Sequence, residues 1–164
     1  MKKLSFDDIL SEVENKNKFN ELKFESHHGI TRYMHVMRVS KHTYRLSRVL
    51  HFDYKSATRA ALLHDYFTEE DFKGTKGIKK GIYHPSIAYL NASKDFNLNK
   101  KERNAIEAHM FPLGKKVPKY KESWLLTIVD KLVATYEYLN FKFRYAVLAK
   151  ALMVLNIIFL NSRY

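Results

Sequence analysis

The sequence predicts an all-α fold, a single compact bundle of about six to eight helices. Three observations predict it. Apolar residues recur at helical spacing along most of the chain, with no convincing strand alternation and no internal repeat. Ser, Thr or Asn repeatedly stands ahead of an apolar-periodic run, as helix N-caps do. No linker divides the 164 residues, a length that suits one domain with one substantial core.

Ser5 ahead of FDDIL reads as an N-cap with acidic residues in the first turn. Residues 17–30 read as a short helix and a loop ending at His27-His28-Gly29. Thr31 caps a long helix to about Leu50, on which His35, Val39, His42 and Leu46 share one face. Tyr54 to about Tyr66 forms the next helix, and Ala57, Ala60 and Ala61 let a neighbour approach His64 closely. Residues 67–82 hold three of the five glycines and read as a loop. His84-Pro85 opens a helix to about Lys94, with proline in its first turn. Asn99 caps another from Lys100 to Met110, and Pro112 stops it. A basic loop spans Gly114 to Tyr120. A helix from about Lys121 to Leu139 and a separate apolar helix over about 142–160 complete the chain.

Hydrophobic content of 46% and aromatic content of 14% exclude a disordered chain. The absence of cysteine excludes a disulfide framework, a thiolate zinc site and a thiol nucleophile, and fits a reducing cytoplasm. MKKLSFDDIL builds no apolar run or cleavage site of a secretory signal. Residues 145–160, YAVLAKALMVLNIIFL, are interrupted by Lys150 and Asn156 and fall short of the roughly 20 residues of a membrane span. The expected role of this segment is a buried terminal helix or a homo-oligomer contact. A net charge of +12 predicts attraction to phosphorylated small molecules, nucleic acid or acidic lipid, and charge alone does not choose among them.

Chemistry concentrates in an ordered series: His35, His64-Asp65, His84, His109 and Asp130. The steps are 29 residues from His35 to His64, 19 from Asp65 to His84, then 25 and 21. Each crosses one helix and its connection, so the five positions, with His64-Asp65 as one, come from separate elements that can meet in a helical core. Imidazole and carboxylate without thiolate is a donor set for catalytic divalent metal, and six donors exceed what one open site needs. Asp130 lies in the apolar stretch TIVDKLVA, where a buried carboxylate demands a cation or good donors. On residue chemistry alone, hydrogen-bonded core histidines remain the other reading.

The segments RYMHVMRVS, ALLHDYF, IYHPSIAYLNA, IEAHMFPL and TIVDKLVATYEYL, with HHGITRYMH leading, resemble the HD-domain metal-dependent phosphohydrolase superfamily. The likeness covers roughly residues 20–140 of a single domain over 1–164, and is nearest to small single-domain bacterial HD proteins of the dinuclear type. It implies a helical bundle with the metal site in its core. It implies that His35, His64, Asp65 and Asp130 hold one ion, with Asp65 bridging to a second completed by His84 and His109. Iron or manganese is the occupant the resemblance favours, with zinc, cobalt, nickel and magnesium also permitted. The chain lacks the GYP string of the cyclic-di-GMP-specific branch.

The expected reaction is hydrolysis of a phosphomonoester or phosphodiester, of a nucleotide or nucleotide-derived signal, by metal-activated hydroxide. His64 and Asp65 are candidate catalytic residues through the ions. Arg32 and Arg38 flank His35 at minus three and plus three, and their guanidinium groups suit phosphate. Arg32 and Lys131 are therefore candidate catalytic and substrate-binding residues, with Arg38, His28 and Lys80 as further substrate contacts. Lys73, Lys76, Lys79 and Lys80, and Lys115, Lys116, Lys119 and Lys121, are expected near the metal mouth, while His42 and His51 read as structural. Two other functions fit the residues less well: an HD scaffold that binds nucleotide as a sensor without turnover, and nucleic-acid binding through the basic surface.

Overall fold

A computed structural model of the chain describes residues 3–27, 29–72 and 78–161, apart from the side chains of 27, 78–80, 151 and 154–161. Seven α-helices build the described residues: α1 (Phe6–Glu14), α2 (Asn17–Glu21), α3 (Arg32–Val49), α4 (Tyr54–Leu63), α5 (Ile78–Asp95), α6 (Lys100–Ala108) and α7 (Lys121–Asn161). A two-residue antiparallel pair, β1 (Ser26–His27) with β2 (Ile30–Thr31), joins α2 to α3, and a short 3-10 turn spans Glu69–Phe72.

The N-caps act as expected. Ser5 and Asn99 each close a capping box, and Thr31 Oγ1 accepts from the Met34 amide. α4 starts on Asp53, whose carboxylate accepts from the Ser56 amide. α3 ends on His51 at φ 52, with the Phe52 amide donating to the Ser47 carbonyl. A left-handed residue there closes the last turn, a position that usually takes glycine.

Three boundaries differ from the sequence expectation. α4 stops at Leu63, because the His64 side chain turns back onto the end of the helix. α5 begins at Ile78, so Pro85 lies inside it and only the Gly81 carbonyl loses its intrahelical donor. The expected break before residue 142 is absent: no glycine or proline interrupts 121–161, and α7 runs on as one helix of 41 residues.

α4 is the central element and packs against α3, α6, α1 and α7. Ala57, Ala60 and Ala61 are fully buried and allow that close approach, while Leu62, Leu63, Tyr66, Ile106 and Leu126 fill the core. Gly29, at φ 86 in the hairpin turn, holds a conformation that disfavours a side chain, and the exposed ring of Phe141 lies against it where a Cβ would project. From Tyr138 to Lys150 every side chain of α7 is exposed, including Phe143, Tyr145 and Leu148. Among the described residues, no helix is long and apolar enough to cross a membrane.

Candidate metal centre

Two helices end in the same way. α4 and α6 are each followed by a histidine, His64 and His109, whose Nδ1–H donates at 2.8 Å to the carbonyl three residues back, Ala61 and Ile106. That bond fixes the tautomer and leaves Nε2 as the free donor atom. α3 presents His35 and α7 presents Asp130, with His35 Nε2 3.1 Å from Asp130 Oδ1. α5 contributes His84, and the turn after α4 contributes Asp65.

The six donors fall into two trios. His64 Nε2 lies 3.4 Å from His35 Nε2 and 3.5 Å from Asp130 Oδ1. In the second trio His84 Nε2 is 2.8 Å from His109 Nε2, and Asp65 Oδ1 is 3.5 and 3.9 Å from those two nitrogens. The trios abut, since the rings of His64 and His109 meet edge to face at 5.0 Å between centroids. Donors held about 2.0–2.2 Å from a tetrahedral or octahedral cation stand about 2.8–3.6 Å apart. Every spacing in the first trio falls in that range; in the second, Asp65 Oδ1 to His109 Nε2 at 3.9 Å lies just outside it, while the Nε2-facing tautomers and the imidazole–carboxylate chemistry of both trios suit a divalent ion.

Electrostatics differ between the trios. Burial would lower the pKa of His35, but Asp130 and Glu137, on either side of the ring, outweigh it and raise it to about 10. His64 is raised in the same way, by Asp65 and Asp130 against burial. Burial would raise Asp130, yet hydrogen bonds from His35 and His64 hold it well below the carboxylate range. Burial, with His84 and His64 nearby, pushes His109 down to about 3 and keeps it a neutral imidazole. The first trio therefore draws positive charge, and the second offers the neutral imidazole of His109.

A cavity of about 630 Å³, within the usual range for small-molecule sites, opens onto His35, Asp65, His84, His109 and Asp130. Phe67, Met110 and Leu113 supply apolar wall. Lys131 lines it too, and its Nζ donates to the His109 carbonyl at 2.8 Å. Burial lowers the pKa of Lys131, against the opposing pull of Asp130.

Arg32 also lines the cavity, but it is 3% exposed and largely occupied. Its Nη1 donates to the Phe67 carbonyl at 3.0 Å and to Glu25 at 3.2 Å, Nη2 is 3.5 Å from Glu69, and Nε is 3.9 Å from Asp65 Oδ2. The guanidinium stacks on the Phe67 ring, 4.0 Å from its centroid. This places it as a tie that holds the Asp65 turn against the hairpin.

Arg38 is placed elsewhere. It lines a groove with His42, Leu46 and Tyr136, and donates to Glu137 at 2.9 Å. Of the second lysine group, Lys115, Lys116, Lys119 and Lys121 do not line the cavity. Asn104 pins the 114–120 loop beside α6 through the Val117 carbonyl and the Lys119 amide, Lys116 faces Glu107, and Lys121 covers the Phe52 ring. His28, Lys73 and Lys76 lie outside the described residues, as do the side chains of His27, Lys79 and Lys80.

Glu137 is the site residue that sequence reasoning missed. Its Oε2 accepts from His35 Nδ1–H at 2.8 Å. The available signal was an acid two helical turns after Asp130, on the same face of one helix. Compared with known proteins, the chain matches no family model, no curated protein and no solved structure.

Proposed function

We propose that this protein is a metal-dependent phosphohydrolase of the HD type, acting on a phosphomonoester or phosphodiester of nucleotide character. The observation that carries the reading is the pair of abutting three-donor clusters on one cavity, built from three helices and two helix-ending turns that lie far apart in sequence. His35, His64 and Asp130 would hold one divalent ion, and Asp65, His84 and His109 a second, with iron or manganese favoured on the resemblance. Ions there would supply Lewis acidity toward phosphate oxygens and would acidify water.

The chain's own groups do the rest. Backbone carbonyls of Ala61 and Ile106 keep His64 and His109 in the ligand tautomer. Arg32 steadies the turn that carries Asp65, and Lys131 adds positive charge at the cavity wall where an anionic ester would lie. Phe67, Met110 and Leu113 give an organic leaving group apolar surface and limit water around it. Hydrolysis places the water oxygen on phosphorus, breaks the bond to the leaving oxygen and returns a proton to it.

The test is elemental analysis of chelator-free protein, followed by a nucleotide and phosphoester panel in the metal found. Wild type should release phosphate or nucleoside monophosphate, and folded Asp65→Ala and His64→Ala variants should lose at least about 100-fold in kcat. A metal-replete wild type that is inert across the panel overturns the proposal. A nucleotide retained unhydrolysed through purification would identify a binding module instead.

A further inference from the structure

Glu137 is a buried acid that the six-donor set does not account for. It follows Asp130 by seven residues on α7, so two turns bring both acids to the same side, about 10 Å apart along the axis. α3 packs on that side, and the His35 ring sits between them, with Nε2 3.1 Å from Asp130 Oδ1 and Nδ1 2.8 Å from Glu137 Oε2. The other Glu137 oxygen accepts from Arg38 Nη1 at 2.9 Å, three residues along α3 from His35. The Glu137 side chain is 0% exposed, and both of its oxygens hold a donor. A carboxylate removed from water and bonded at both oxygens is fixed in place.

The contrast with the other oriented histidines is chemical. His64 and His109 donate from Nδ1 to backbone carbonyls, whereas His35 donates to a charged carboxylate. A carboxylate on the Nδ1 side locks the ring and makes Nε2 a stronger donor toward a cation.

We propose that Glu137, held by Arg38, is a positioning residue that makes His35 a stronger nitrogen donor than the carbonyl-bonded His64 and His109, and the His35–His64–Asp130 trio the tighter of two divalent-cation sites. The inference rests on the metal reading above. The competing account is that Glu137 only joins α3 to α7 as an ion pair.

The experiment titrates the metal-stripped full chain with Mn²⁺ against a competing chelator, and with Co²⁺ followed by visible absorption. Wild type should bind two ions with separable affinities. Glu137→Ala should weaken the tighter site by about 10–100-fold and leave the weaker one unchanged. Glu137→Gln keeps an acceptor for Nδ1–H and should lose less, while shifting the cobalt absorption of the tight site. Arg38→Met should fall between wild type and Glu137→Ala, and His84→Ala should remove only the weaker site. Two sites with unchanged affinity and cobalt spectra in the Glu137 variants would overturn the inference alone, even if their Tm fell. A wild type that binds neither ion would overturn the metal reading and this inference with it. If Glu137→Ala does not fold, the affinity and spectrum of Glu137→Gln decide.

Discussion

The metal reading has a thermodynamic consequence that needs no substrate. The six donors come from α3, α5, α7 and the turns that end α4 and α6. Only the folded chain assembles them, so a divalent ion stabilises the native state by RT ln(1 + [L]/Kd). At a free ion concentration one hundred times Kd, that is about 2.7 kcal/mol for each site. In a chain of this size each kcal/mol moves Tm by about 2–4 °C, so one ion should raise it by about 5–10 °C and two by about twice that. The assay is scanning calorimetry of protein stripped with chelator, dialysed, and titrated with Mn²⁺. His84→Ala removes one nitrogen from the second trio, and because the His84 ring also packs on Phe67 and His109, the gain is read against the variant's own metal-free Tm. It should keep about half of the wild-type gain, and a His35→Ala/His84→Ala double variant should keep little of it. The reasoning fails if wild type gains less than about 2 °C in every first-row divalent ion tried, or if the double variant gains as much as wild type.

Three further expectations concern the scaffold. Asn99 Oδ1 accepts from the amides of Lys101 and Glu102, and Nδ2 reaches Ser56, so Asn99→Ala should cost about 1–2 kcal/mol in urea unfolding. An unchanged midpoint would show the cap to be idle. His51 holds the left-handed position after α3, so His51→Gly should stabilise by about 1 kcal/mol, read as a higher Tm; a fall would contradict the backbone argument. Asp53, Asp71 and Glu122 are held below the ordinary carboxylate range: burial would raise them, but hydrogen bonds from backbone amides and from Lys101 or Lys18 outweigh it. Their folded pKa values are depressed, so the stability they give is fully present above the unfolded values near pH 4 and is lost as pH falls through the folded ones. Urea midpoints should decline as pH falls below about 6.5, where unfolded His109 takes up a proton that the folded chain refuses, and decline further below about pH 5, this second part less steeply in Lys101→Met; a rise on acidification would reverse the sign.

The sequence by itself determined the helical class, most of the helix starts and the six imidazole and carboxylate residues that the fold gathers. These are local facts. Ser5, Thr31 and Asn99 cap the residues that follow them within a single turn, and donor chemistry belongs to the side chain whatever surrounds it. Helix ends were less legible, because His64 stops α4 through a side-chain bond and α7 continues where the residue pattern suggested two helices. The tertiary structure alone decided which donors share a trio, that Arg32 is occupied by Glu25, Glu69 and the Phe67 carbonyl, and that Arg38 turns to Glu137. The contact that sets the orientation of His35 spans 102 residues of sequence. It exists because α3 and α7 pack side by side, and no periodicity within either helix states which of its polar residues will face the other.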